Sequence, residues 1–255
     1  DIHNNLMKFC IVLSTRPEII KLASFIKILK KKKQNFFLIN TNQHYSKTMS
    51  KVFFDYFNIP KPKYNIKATS SDHLGFLSKS LIHIGNILTK EKPNYLIVQG
   101  DTNTALAGCL AGSIYNRNHL DNKKIKLVHI EAGLRSFDNN MPEEINRKII
   151  DSLSDILFVP TNIDLANLQK ENLLKNKKIL KSGNTITDVV KSNLNLLNKN
   201  NIFEKLQLKK RDYFLATLHR PESVDNLTNL KKIFLTLNKI SNLYKKKIIF
   251  PIHPR

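Results

Sequence analysis

At 255 residues and 41% hydrophobic content, the chain is long enough to bury one large core or two smaller ones. No apolar run approaches the roughly 18–20 residues of a membrane span, and Arg16, Pro17 and Glu18 follow the first short apolar run too closely for a secretory signal, so no membrane role is expected. The net charge of +22 invites a nucleic-acid reading, but only seven of the 42 basic residues are arginine and the lysines spread over the whole chain; that balance marks solvated helix faces and loops, and no nucleic-acid partner is expected.

Short β-branched runs alternate with amphipathic segments of helix length. The spacing predicts strands over 9–13, 36–40, 95–99, 126–130, 156–160, 178–181, 213–217 and 247–251, with helices over 17–32, 46–57, 73–91, 103–115, 142–154, 162–173, 186–199 and 227–243. Several strands are apolar throughout, as strands covered on both faces are. Such alternation implies parallel sheets with crossover helices, a doubly wound α/β architecture. A domain boundary is expected near Gly183–Asn184, dividing the chain into 1–185 and 186–255. Cys10 and Cys109 lie in apolar contexts, which suits buried reduced thiols in a cytosolic protein.

Ligands of open α/β sheets sit beyond the carboxyl ends of the strands. That rule selects "STRPE" at 14–18, "QGDTNT" at 99–104, "HIEAGLRS" at 129–136 and "LHRPES" at 218–223. Arg16 and Lys21, at and one turn beyond a helix N-terminus with Pro17 in its first turn, suit an anion. Asp101 leaves a buried strand and either caps the next helix or works beside Glu131 at the neighbouring strand end. Glu131 either pairs with Arg135 or shares a site with Asp101, where mutual repulsion would lift one carboxyl into the acid/base range. "MPEEINRKIID" opens a helix; Glu143, Arg147 and Asp151 fall on one polar face, with Ile145, Ile149 and Leu153 expected on the core side. His219 and Arg220 suit a phosphate or leaving group, and His44 ends the second strand. No Cys/His spacing suggests zinc, and no Gly-rich phosphate fingerprint follows the first strand.

Taken in order, "STRPEIIKLA", "NQHYSKTMSKVFFDYFNIPKPKYNI", "VQGDTNTALAG", "HIEAGLRSFDNNMPEEINRKIIDSLSDILFVPT", "SGNTITDVV" and "LATLHRPESVDNLTNL" resemble the non-hydrolysing UDP-N-acetylglucosamine 2-epimerases over nearly the whole chain. The resemblance implies a GT-B-like fold of two Rossmann-like domains, with the active site in the cleft between them. The second domain would be incomplete here. It implies inversion at C2 of UDP-GlcNAc to UDP-ManNAc by anti elimination of UDP, through 2-acetamidoglucal, and re-addition, with no metal or nicotinamide cofactor. It implies Asp101, Glu131, Glu143 and His219 as catalytic residues. It implies Arg16, Lys21, His44, Arg135 and Arg220 as substrate-binding residues, and a homodimer at full length. Which carboxylate removes the proton stays open. Ser14 stands where the family usually has glycine. Family members continue past "FPIHPR", and Met7 reads as a natural start, so a partial sequence is expected, without high-affinity UDP binding or turnover as it stands. The rivals are a 2-epimerase of a UDP-diacetamido-uronic acid, a hydrolysing epimerase and a non-catalytic nucleotide-sugar-binding module.

Overall fold

A computed structural model describes residues 7–42, 47–68, 70, 72–119, 124–197, 201–218 and 224–251. The chain forms two compact units, Asp1–Ser192 and Asn193–Arg255.

In the first unit the elements run β1 (Lys8–Leu13), α1 (Arg16–Lys31), β2 (Asn35–Asn40), α2 (Lys47–Tyr56), β3 (Tyr64–Asn65), α3 (His73–Glu91), β4 (Tyr95–Gln99) and α4 (Asn103–Asn118). They continue with β5 (Lys126–Ile130), α5 (Pro142–Leu153), β6 (Ile156–Val159), α6 (Asn162–Lys170), β7 (Lys178–Lys181) and α7 (Thr185–Leu197), the last running across the boundary between the units. Every pairing in the seven-stranded sheet is parallel, in the order β3-β2-β1-β4-β5-β6-β7. Strand order therefore reverses between β1 and β4, the switch point where open sheets of this kind bind ligands.

Alternation along each strand explains why the strands read as apolar throughout. Cys10 and Val12 enter a core under α3 and α4, together with Ile39, Leu96, Val98 and Leu127. Ile11 and Leu13 enter the opposite core with Leu38, Ile97, Val128 and Ile130, against Ile19, Leu22 and Ile26 of α1 and Phe54 of α2. Successive side chains point to opposite faces, and here both faces are covered. Each fully buried Leu or Ile contributes about 1.5–3 kcal/mol. Cys10 and Cys109 are buried and unpaired, and burial pushes both thiols up, Cys109 to about 12.

Two local differences from the sequence expectations have physical causes. The edge strand β3 pairs only Tyr64 and Asn65 with β2, too short a run to leave a periodic trace. In α5 the buried residues are Glu144, Asn146, Ile150 and Asp151, while Ile145 is exposed. The apolar spacing had placed Ile145 on the core side; hydrogen bonds to the two acids turn the helix the other way.

The second unit contains α8 (Ile202–Lys205), β8 (Tyr213–Leu215), α9 (Leu227–Tyr244) and β9 (Lys247–Ile249), with β8 and β9 paired in parallel. None of its described residues is buried.

Candidate active site

The site is built where β1, β4 and β5 end. The register sets Gln99 opposite Ile130, so Asp101 and Glu131 leave the sheet at neighbouring positions. Glu131 adopts φ +76° and Gly133 φ +85°, turning the chain sharply off β5. Gly133 is required twice over, because a Cβ there would also lie 2.4 Å from the Asp164 carbonyl oxygen. The positive φ at a glutamate is a costly conformation that the surroundings must hold. They do: the Glu131 and Ala132 amides both donate to the Phe158 carbonyl, at 3.1 and 3.0 Å.

The Glu131 carboxylate is nearly buried and well supplied with donors. Lys21 Nζ lies 2.8 and 2.6 Å from its two oxygens, Asn184 Nδ2 donates to Oε1 at 3.0 Å, and Gln99 Nε2 donates to Oε2. Lys21 thus contacts the carboxylate directly. Glu131 does not pair with Arg135.

Asp101 does not cap α4. Thr102 does, accepting from the Ala105 amide at 3.0 Å, which leaves the Asp101 carboxylate for Arg147 Nη2 at 2.5 Å. Arg147 Nη1 reaches Glu144 at 3.0 Å. Glu144 also accepts from the Ser136 amide at 2.8 Å and the Phe137 amide at 3.3 Å. Burial pushes its carboxyl up, but the Ser136 amide and Arg147 outweigh this and hold it below the usual range. Asn146 Nδ2 fixes the Asp101 carbonyl at 2.8 Å.

Beneath the turn lies Asp151, fully buried. One oxygen faces His129 Nδ1 at 2.7 Å; the other accepts from the Gly133 amide at 3.1 Å and Arg135 Nη1 at 2.8 Å. Burial raises the Asp151 carboxyl, and His129 and Arg135 more than reverse that. The other ring nitrogen of His129 contacts the Gly100 carbonyl at 2.9 Å, joining the two strand ends from below.

A pocket of about 150 Å³ opens over this assembly, lined by Pro17, Glu18, Lys21, Gln99, Gly100, Asp101, Thr102, Glu131, Leu134 and Arg147. Three of the expected site residues line it: Asp101, Glu131 and Lys21. Arg16, half-buried, is the first residue of α1, beside Pro17 of the pocket wall. Glu143 is exposed on the first turn of α5, and the hydrogen-bonded glutamate there is Glu144. The Arg135 side chain is buried, binding Glu171 through Nε and Nη2 at 2.8 and 2.6 Å as well as Asp151; it supports the turn and does not face the pocket. His44, His219 and Arg220 lie outside the described residues.

The sequence reading singled out neither Gln99, Glu18 and Arg147 of the pocket wall nor Asn184, which donates to Glu131. Glu18 and Gln99 fell inside the selected strand-end segments, and Arg147 showed as a cation one helical turn after Glu143. Among the described residues, no group of three His, Cys, Asp or Glu side chains is placed to hold a metal. No helix among them is long and apolar enough to cross a membrane.

A parallel doubly wound sheet with three carboxylates, Glu18, Asp101 and Glu131, and two cations, Lys21 and Arg147, at its switch point has the equipment for acid/base chemistry. Comparison with known proteins identifies the family. Residues 27–255 match the UDP-N-acetylglucosamine 2-epimerase family model, and the chain belongs to that family. It is 48% identical over 252 residues to the UDP-N-acetylglucosamine 2-epimerase of Methanocaldococcus jannaschii, covering 98% of this chain and 66% of the relative. A crystal structure of the M. jannaschii enzyme in complex with UDP-GlcNAc and UDP superimposes with a TM-score of 0.86 at 48% identity, over 98% of this chain and 67% of that one. A more distant relative, 36% identical over 98% of this chain and 67% of its own length, is the UDP-2,3-diacetamido-2,3-dideoxy-D-glucuronate 2-epimerase of Pseudomonas aeruginosa. The chain spans about two thirds of the length of the curated relatives it matches.

Proposed function

We propose that this protein interconverts UDP-GlcNAc and UDP-ManNAc. The observation that carries the reading is Glu131: a nearly buried carboxylate in a strained turn, held by Lys21 and Gln99, opening into the same pocket as Asp101 and Arg147.

Inversion at C2 needs a base on one face of the sugar and an acid on the other. Glu131 and Asp101, on adjacent strand ends, are the residues we assign to those two tasks, with Glu143 and His219 completing the catalytic set. As the base takes the C2 proton, the C1–O bond to UDP breaks and its electron pair leaves on the β-phosphate oxygen, giving the C1=C2 bond of 2-acetamidoglucal. In the return step the phosphate oxygen attacks C1 and a proton reaches C2 from the opposite face. The departing UDP must stay bound, and preorganised cations stabilise its charge. Arg16 and Lys21 at the start of α1 fit that task, with His44 and Arg220 as further contributors. We extend the reading to a homodimer acting in the cytoplasm; the two buried free thiols suit a reducing compartment.

The diacetamido-uronate reading has less support, since that relative is 36% identical and the UDP-GlcNAc enzyme 48%. Incubation of the full-length protein with UDP-GlcNAc in D₂O tests the proposal. The expected product is UDP-ManNAc carrying deuterium at C2. Free ManNAc and UDP as final products, or binding without any exchange at C2, would overturn it.

A further inference from the structure

We propose that Glu18 is a positioning residue of this site, setting Asp101 across the switch point of the sheet. The inference rests on the function proposed above, and nothing in the resemblance assigned Glu18 a role.

Glu18 is buried and lines the pocket. Its Oε2 accepts from the Ser14 and Thr15 amides, at 3.0 and 2.6 Å, at the end of β1. Those two bonds account for a glutamate in the first turn of a helix, where backbone N–H groups lack partners. They do not account for the other oxygen. Oε1 accepts from the Thr102 hydroxyl at 2.7 Å, 84 residues away in sequence. Thr102 is the residue after Asp101 and the N-cap of α4, so one hydroxyl donates to Glu18 and accepts from Ala105. The bond joins the ends of β1 and β4, the neighbouring strands between which the sheet order reverses.

The first two turns of α1 therefore brace both candidate carboxylates. Glu18 holds the turn that carries Asp101, and Lys21, three residues on, holds Glu131 itself. A rigid helix face fixes the separation of the two braces. Loss of Glu18 leaves the Asp101 turn held by Asn146 and Arg147 of α5 on one side and, at Gly100, by His129 and the Ile130 carbonyl on the other, without its Glu18 tie to the end of β1. A carboxylate displaced by about an ångström costs up to about a hundredfold in rate, because proton transfer demands close alignment. Glutamine preserves the arrangement. Its single carbonyl oxygen accepts both amides, and its NH₂ donates to the Thr102 hydroxyl, which has lone pairs to accept.

The test is a double-mutant cycle with Glu18→Ala and Thr102→Val in the full-length protein, alongside Glu18→Gln. Steady-state epimerisation of UDP-GlcNAc and hydrogen exchange of the 100–105 amides are both measured. Glu18→Ala should lower kcat about tenfold to a hundredfold with little change in KM, while Glu18→Gln restores kcat to within a few fold. The double variant should lose less than the product of the two single losses, because both remove the same Glu18–Thr102 bond while each also removes bonds of its own. The 100–105 amides should lose protection in Glu18→Ala and keep it in Glu18→Gln. Multiplicative losses, or a kcat per folded molecule that stays at the parental value in Glu18→Ala, would overturn the proposal. Glu18→Gln as impaired as Glu18→Ala would also overturn it, by making the carboxylate itself a reacting group. If the parental protein shows no C2 exchange at all, the failure belongs to the proposed function. The amide protection then decides the role of Glu18 by itself: protection unchanged in Glu18→Ala refutes it.

Discussion

Glu131 and Glu91 are the same local chemistry in two settings. Each is a nearly buried glutamate with a lysine Nζ at 2.6 Å, Lys21 for one and Lys8 for the other. Glu91 closes α3 at the amino end of β1, where Lys63 at 2.7 Å and the Tyr64 hydroxyl complete its surroundings. Those partners tie the two-residue edge strand β3 to the body of the sheet. Glu131 stands at the carboxyl end of β5, with φ +76° and a pocket in front of it. Polar burial alone does not mark a reactive group. What separates the two is the strand end, the strained backbone and the cavity, features that structural ion pairs do not require.

The largest effect should come from exchanging charge for amide at each. Glu131→Gln should slow deuterium incorporation at C2 by on the order of 10²- to 10⁴-fold. Glu91→Gln should leave that rate within a few fold of the parent. Equal loss of exchange in both variants would erase the distinction between the two ends of the sheet.

Arg135 tests which class a third cluster belongs to. Its guanidinium is buried on Asp151 and Glu171, and although burial pulls its pKa down, those two carboxylates push it back above the ordinary value. Removing it leaves Asp151 buried with one charged partner fewer, and Arg135→Ala should cost about 3–5 kcal/mol in urea unfolding. An unaltered unfolding midpoint together with a raised KM would return Arg135 to the substrate-binding role that the family resemblance implies.

These contrasts also mark what the sequence made legible. The strands and helices of the sheet were readable because the two covered faces leave continuous apolar runs separated by helix-length segments. Asp101 and Glu131 were readable because an acid leaving a buried strand has few scaffolding explanations. Glu18 was not: within "STRPE" it satisfies the rule for a helix start, and its second task depends on Thr102, far along the chain. The choice between Glu143 and Glu144 depended on the rotation of α5. Periodicity put Ile145 inward, but Ser136 and Phe137 bind Glu144, while His129 and Arg135 bind Asp151, and those bonds set the rotation. Helical phase in a segment with acids on two faces is decided by partners elsewhere in the fold.

The smallest effect is the acid sensitivity of Glu91, and its sign follows from its partners. Burial pushes the Glu91 carboxyl up, but Lys63, Lys8 and the Tyr64 hydroxyl more than reverse this and hold it down at about 2. In the unfolded chain a glutamate titrates near about 4.3. A folded value below the unfolded one means that the ionised group favours the folded state. Its contribution is complete above about pH 5 and is lost as the pH falls towards about 2. Lys63 is 53% exposed, so solvent screens part of the interaction, and the contribution should be about 1–2 kcal/mol. Urea midpoints of the parent and Glu91→Gln between pH 7 and 2.5 measure it. The parent should lead at pH 7, the gap should close as acid protonates Glu91, and high salt should narrow it at neutral pH. A gap that stays constant across that range would mean that Glu91 acts through packing rather than charge. The electrostatic half of its likeness to Glu131 would then be gone, leaving only the geometry at the two ends of the sheet to tell them apart.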